Sequence, residues 1–508
     1  MKTLKSLADF RLLLLCFAAI AVTACGQREE PATEAADEGA TAEVSRPDKV
    51  PVTTSSAEAR AYYDEGLALA DNLHAVEARA AFAKAVEADP GFAMGYFRLA
   101  QASQTVAEFF KAVGMAEENA ANASEGEQLY IHALIAGAEN NQAAQLDAIS
   151  SLLKMFPKDE RTHVQLANYH IGQQNFADAI KHYEHATSIN PNFAFAWNSL
   201  GYARRSNDDL DGAKAAFARY VELIPDEANP YDSYAELLME MGEYDESIAN
   251  YRKALEFDAH FTVSYAGISI NESLKGNAEA AQAAAEEMLA AARTEGEKRG
   301  AMLRSVTAHL HADNVEAALA VCDDIYANAG AEGNLAAMGV ISDYMGDIMA
   351  VSGDGAKALE HYENALKHRR EANINDANKA QAERTYLFKS AIAALVAGEH
   401  ETFASRVAEY TAAAEANGTT FERRRIHELA GYLASVNGDN EASASELGQA
   451  NQIDPLVLYW AAVANAASGN TKKAKDLAHR AAYRNTLSRN LPFFRDEALA
   501  LIEELEAN

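Results

Sequence analysis

Helix breakers are scarce in this chain, whose 508 residues include only 10 prolines and 28 glycines. Ala-rich stretches such as 280–292 are present and no β-rich region stands out, so the composition points to an all-α fold, because alanine orders into a helix at the least cost and proline is what most readily ends one. Cysteine is scarcer still. Cys16 and Cys25 lie near the start and Cys322 stands alone in the body, which leaves the body no pair from which to close a disulfide, and Cys322 reads as a small buried helix residue. Cations are in deficit, 44 Lys and Arg against 75 Asp and Glu. The resulting formal charge of −31 repels phosphate backbones and excludes an electrostatic footprint for nucleic acid. Also missing are a Gly-x4-Gly-Lys-Ser/Thr loop, a Gly-x-Ser-x-Gly elbow and a His-Glu-x2-His helix. These absences predict a protein that is not an enzyme and carries no cofactor and no metal. The 49% of apolar residues suffice for a large core.

The first 24 residues are different in kind. Lys2, Lys5 and Arg11 precede an apolar run over residues 12–24, too short to cross a hydrocarbon core of about 30 Å as a helix and therefore a signal peptide by its anatomy. The run closes on Val22, Thr23, Ala24, Cys25 and Gly26, which resembles the lipobox of bacterial lipoproteins, with Val22 in place of the usual leucine. The resemblance implies cleavage after residue 24 and lipidation of Cys25, an anchor held by two or three acyl chains at about 0.8 kcal/mol per buried CH₂. Gly26, where some envelope lipoproteins carry Asp, implies the outer membrane, facing the periplasm. Residues 25–57 comprise the acylated cysteine and an acidic stretch rich in Glu, Ala, Thr and Pro, which reads as a disordered tether because it has too little apolar surface to offset the entropy of ordering.

Sliding the chain against itself by 34 residues brings His163, Trp197, Tyr231 and Tyr265 into one column. Leu166, Leu200 and Tyr234 form a second, Tyr183, Phe217 and Tyr251 a third, Pro191 and Pro225 a fourth. One unit reads Trp197-x2-Leu200-Gly201, Ala213-x3-Phe217 and Pro225, and it resembles the tetratricopeptide repeat, a hairpin of two antiparallel helices. Small residues at Gly201 and Ala213 let the two helices approach, Phe217 projects one turn beyond Ala213 on the same face, and residues 206–209 supply turn and capping chemistry. Gly66 with Phe82, Ala167 with Tyr183, Ala235 with Tyr251, Gly346 with Tyr362, and Gly431 with Ala450 and Pro455 mark further units. Residues 93–157 and 262–335 fit only as helical pairs, and Arg204 replaces the tyrosine expected after Gly201.

The resemblance implies an all-α, right-handed α-solenoid of helical hairpins, since each hairpin buries its apolar face only against the next. An N-terminal array over 58–293 and a divergent array over 294–508 are expected, ending in an amphipathic capping helix with Phe494, Leu499, Leu501, Ile502 and Leu505. In this family the first helices of successive hairpins line a concave groove. Carried over by register, the groove residues are Arg161, Val164, Asn168, Phe195, Asn198, Tyr202, Arg205, Asn229, Asp232, Glu236 and Met239. One subset of the family clamps a C-terminal carboxylate with Lys and Asn; Asn198 and Tyr202 stand where those residues belong, which argues against that ligand.

Two patterns imitate metal sites. Asn207-x-Asp209-x-Asp211-Gly212 begins like a calcium loop, but its twelfth position is Ala218 and not a bidentate acid. His163, His170, His182 and His185 crowd one repeat, yet His163 takes the slot of Trp197 in the next, so packing accounts for it. Anchor and repeats together predict a membrane-anchored scaffold of the bacterial cell envelope that binds segments of other envelope proteins or peptides. The alternatives are a periplasmic binder of small molecules or glycans and an enzyme-associated subunit with a site hidden in 262–335 or among the histidines.

Overall fold

The computed structural model describes residues 48–72, 74–103, 106–139, 141–374, 376–484 and 488–507. The signal peptide, Cys25 and most of the tether lie outside the described residues. Two compact units are present, dividing between Tyr234 and Ala235. The sequence offers no marker for this division, which falls inside a regular helix.

The N-terminal unit consists of α1 (Ala57–Asp71), α2 (Ala75–Ala88), α3 (Ala93–Gln101), α4 (Val106–Asn119), α5 (Glu125–Ala138), α6 (Gln142–Met155), α7 (Glu160–Gly172), α8 (Phe176–Ile189), α9 (Ala194–Ser206), α10 (Leu210–Leu223) and the start of α11 (Ala228–Glu240). The C-terminal unit takes the end of α11, α12 (Tyr244–Phe257), α13 (Thr262–Leu274), α14 (Ala278–Ala291), α15 (Glu295–His311), α16 (Val315–Ala331), α17 (Leu335–Val351) and α18 (Gly355–Glu371). It continues with α19 (Asp376–Val396), α20 (His400–Asn417), α21 (Thr420–Val436), α22 (Asn440–Leu447), α23 (Pro455–Ala467), α24 (Thr471–Tyr483), a 3₁₀ turn at Leu491–Phe493 and α25 (Arg495–Ala507). No strand occurs among the described residues, and within each unit consecutive helices pack as hairpins, the α-solenoid organisation expected from the repeat. None of the described helices is long and apolar enough to cross a membrane.

Each hairpin closes on the contact that the repeat implied. A Cβ added to Gly201 would stand 2.6 Å from the Phe217 ring, and one added to Gly66 or Gly346 would stand 2.6 Å from Phe82 or 2.4 Å from Tyr362. Ala213, Phe217, Ala358 and Tyr362 are almost wholly buried. The turns inside hairpins place one residue in the left-handed region and cap the next helix with its neighbour: Asp208 has φ +67°, and Asp209 accepts from Gly212 N at 2.9 Å. That capping role uses the carboxylate which the calcium-like pattern would have required. Arg204, the departure from the family pattern, ties its own hairpin by donating from Nη1 to Gly212 O and reaches back to α8 of the preceding one by donating from Nη2 to Glu184.

The aligned column His163, Trp197, Tyr231 and Tyr265 has one shared function. Each side chain hydrogen-bonds the carbonyl six residues earlier, at Pro157, Pro191, Pro225 and Ala259, over 3.0, 2.9, 2.9 and 3.4 Å. Each of these bonds ties a first helix to the turn that precedes it, which explains why imidazole, indole and phenol are interchangeable there.

Two features differ from expectation. Residues 48–56, assigned from composition to a disordered tether, run extended along the N-terminal unit. Val50 N–H donates to Asp159 and Thr53 N–H to Glu127, at 2.9 and 2.7 Å, while Lys49 pairs with Glu160 and both valines, Val50 and Val52, pack on the core. Acids that cap α5 and α7 thus supply a docking edge for backbone, a contact that composition does not encode. Residues 93–157 and 262–335 form helical pairs as expected, α3/α4, α5/α6, α13/α14 and α15/α16. Finally, α22 is only 8 residues long and Pro455 opens α23, where a missing N–H costs nothing, instead of closing α22.

The cap forms as expected. Phe494, Leu501 and Ile502 are buried and Leu499 and Leu505 pack on the same core, with α25 seated on α23 and α24. Because Phe217 fills the space that Gly201 leaves, Phe217→Ala is expected to destabilise the N-terminal unit by about 3–5 kcal/mol. Urea unfolding followed by far-UV circular dichroism checks this, and an unchanged midpoint would contradict the role given to the ring.

Candidate partner-binding groove

The first helices of the N-terminal unit, α7 and α9 with the start of α11, present the residues assigned to the groove, and the structure divides them by function. Arg161 is engaged: its guanidinium makes two bonds to Asp71 at the end of α1, 2.9 and 2.6 Å long, and lies 4.9 Å over the Phe193 ring. A second tie from the same turn joins His74 to Glu227 at 3.2 Å. The end of α1 therefore covers this part of the groove. Asn229 is also engaged, accepting from Tyr220 and from Ser233. Val164 is buried, and Met239, fully buried, belongs to a core and lines no groove.

Tyr202 stands edge-on to Phe217 at 5.0 Å, donates to Ser233 at 3.1 Å and carries the Arg205 guanidinium over its ring at 5.8 Å. Packing fixes its rotamer, so it offers contact area at little entropic cost. Phe195 is half-buried beside Phe193. Asn168 is exposed, and its Oδ1 accepts from Tyr183 at 2.5 Å, which orients the amide. Asn198 is the unusual member: its Oδ1 is shielded from solvent and has no hydrogen-bond partner. Asp232 is half-buried in the N-terminal unit, while Glu236 lies beyond the division and belongs to the C-terminal unit.

The four histidines do come together. The His163 ring lies 5.6 Å from His182 and 5.2 Å from His185, and His170 stacks on His182 at 5.8 Å. Since His163 Nε2 donates to Pro157 O, its Nδ1 is the lone-pair nitrogen, and it faces His182 Nδ1 at 3.4 Å. Desolvation followed by the neighbouring imidazoles pushes His182 down to about 4, and desolvation also lowers His163 and His170. Among the described residues no group of three or more His, Cys, Asp or Glu side chains is placed to hold a metal ion. Cys322, fully buried, has its thiol pushed up to about 12 by desolvation and then by Asp323, consistent with a packing residue.

The C-terminal unit contains a polar interior that sequence reasoning missed. Lys389 Nζ contacts both carboxylate oxygens of Asp347 at 2.7 Å, and Tyr362 donates to the same group at 2.8 Å. Arg369 pairs with Asp343 at 2.5 Å, Arg384 with Glu422, and Arg425 lies between the Phe388 and Phe421 rings at 4.4 and 4.5 Å. Only one signal was available in sequence. Asp347 stands fifteen residues before Tyr362, as Asn168 stands before Tyr183, and in each pair the phenol donates to the earlier side chain.

Models of the tetratricopeptide repeat match residues 161–193, 196–227 and 228–261. The chain carries tetratricopeptide repeats. No curated protein matches it. Among solved structures, MamA is 21% identical over 33% of this chain and 94% of its own, with a TM-score of 0.30. YrrB, described as a tetratricopeptide-repeat protein with an unusual peptide-binding site, is 14% identical over 43% of this chain and 96% of its own, with a TM-score of 0.28. PilF of Pseudomonas aeruginosa is 14% identical over 48% of this chain and 96% of its own, with a TM-score of 0.29.

The histidine stack makes a pH prediction. A group whose pKa is depressed in the folded state binds more protons when unfolded, so its contribution is intact above the unfolded value of 6.5 and declines as pH falls towards about 4. Relative to His182→Leu, the natural protein is therefore expected to lose thermal stability between those limits and to run parallel above them, in melts taken at constant ionic strength.

Proposed function

We propose that this protein is a non-catalytic interaction scaffold of a bacterial cell envelope, anchored through lipidated Cys25 in the outer membrane and facing the periplasm, as Gly26 implies, and holding segments of other envelope proteins along the repeats.

 The anchor is inferred from the lipobox-like run, and the working surface from the repeats. The observation that carries the binding role is Asn198, a shielded amide oxygen without a partner, set between rigidly held Tyr202 and half-buried Phe195. A buried acceptor left unpaired costs roughly 1–3 kcal/mol, and the N–H of an extended peptide is the donor that would satisfy it.

The chain's acidity favours partners that present Lys or Arg beside that peptide, since like-charged segments would be repelled before contact. A photoreactive residue at exposed Asn168, compared with one at exposed Ala215 on α10, tests the surface: a defined envelope protein crosslinked from Asn168 alone is expected, and equal capture from both positions would remove the groove from the proposal. The anchor is tested separately. Cys25→Ala is expected to abolish palmitate labelling and release the protein from the membrane fraction, whereas unchanged labelling would refute lipidation at that residue.

A further inference from the structure

Three buried or half-buried cations in the C-terminal unit have carboxylates beside them: Lys389 has Asp347, Arg369 has Asp343 and Arg384 has Glu422. Arg304 on α15 departs from this pattern. Its Nε and Nη1 are both shielded from solvent, and neither has a hydrogen-bond partner. Among charged groups the largest influence on it comes from another cation, Arg489, and the phenols of Tyr344 and Tyr251 act in the opposite sense. Burial and then Arg489 push the guanidinium down to about 10.

The segment that leads into the cap creates this arrangement. The 3₁₀ turn Leu491–Phe493 packs against α15, and Arg489, just before it, lies with its guanidinium 5.9 Å from the centre of the Tyr344 ring. Two turns further along α15 from Arg304 is His311, whose Nε2 is likewise shielded and without a partner. Arg495 at the start of α25 adds a third cation, held by Ala482 O and by Tyr244 OH, both at 3.3 Å. The hydroxyl of Thr307, one turn from Arg304, stands 3.5 Å from that of Tyr344.

A guanidinium shielded from water with no acceptor beside it is costly, and the cost is removed when an anion sits against it. A guanidinium presents its N–H groups as a planar fork that fits two oxygens of one group, so an oxyanion suits it and a halide does not. We propose that Arg304 is the centre of a binding site for a small free oxyanion of the phosphate class in the C-terminal unit. The site is separate from the groove, and the inference stands whether or not the scaffold reading does.

Calorimetric titration of the full chain with inorganic phosphate, at ionic strength held constant with sodium chloride, tests it, together with melts in the same buffers. Saturable phosphate binding and a melting temperature that rises with phosphate are expected for the natural protein. Arg304→Met is expected to abolish both while melting no lower than the natural protein in phosphate-free buffer, because it removes a charge that has no partner. Arg304→Lys keeps the charge but loses the fork, and is expected to weaken binding by about tenfold. Absence of saturable binding, equal binding by Arg304→Met, or a phosphate-free melt of that variant well below the natural one would each overturn the proposal, the last by showing that Arg304 is already satisfied within the chain.

Discussion

The contact on which the rest of the structure depends is that between a small residue on the first helix of a hairpin and a large one sixteen residues later on the second. Gly201 with Phe217 is its clearest form, and Gly66 with Phe82 and Gly346 with Tyr362 repeat it in both units. A side chain at the small position would collide with the ring, and a small residue at the large position would leave a cavity, so the two choices are coupled. Neither helix could bury its apolar face alone, and the ring is what each hairpin offers to its neighbours. Where Leu447 takes the place of the aromatic opposite Gly431, the second helix, α22, is also the shortest, which fits a contact that is weaker but still closed.

Once that contact is fixed, the polar side chains along the first helix become available for other work. In the N-terminal unit the phenol of Tyr183 orients the exposed amide of Asn168. In the C-terminal unit the equivalent phenol, Tyr362, meets Asp347, and the charge brought in by Asp347 is met by Lys389. One substitution at a repeat position thus changes a surface amide into a buried ion pair. Such a pair adds little net stability over an apolar replacement, but losing one partner would strand the other, at a cost of about 3–5 kcal/mol. The second unit is therefore committed to its polar interior in a way that the first is not.

The fold was legible where hairpins keep one length. From His163 to Tyr265 the helices have 13 or 14 residues, the 34-residue column holds, and family models match the same stretch. Beyond it α15 to α18 each extend to 17 residues and α19 to 21, so a fixed-period alignment loses register although the packing rule survives. Ala318, Cys322 and Ile325 keep the spacing of Ala358, Tyr362 and Ala365, and all six are buried, which is why a lone cysteine can stand in an aromatic slot. The groove was legible only as a set of positions. Sequence register put Arg161 there, but could not show that Asp71, ninety residues earlier, already holds it. Nor could composition reveal that residues 48–56 dock on the capping acids of α5 and α7, because the bonds that hold Val50 and Thr53 come from backbone N–H groups, which every residue but proline carries.

This double use of capping groups has a physical limit that explains which segments can dock there. Glu127 accepts from Ser124 N–H as the capping box requires, and from the backbone N–H and hydroxyl of Thr53 with its remaining lone pairs. Asp159 caps Arg161 and Thr162 through one oxygen and takes Val50 N–H on the other. A carboxylate has about four acceptor sites, so such a group can cap the start of a helix and also hold an extended segment without leaving either donor unsatisfied, whereas a Ser or Thr cap, with two lone pairs on one oxygen, has less to spare. An acid at the start of a first helix is therefore more than a cap in a solenoid: it offers a second acceptor to any extended segment that crosses the helix ends. That the segment here also carries Lys49, paired with Glu160 in the first turn of α7, follows from the same accumulation of negative charge at the positive end of a helix.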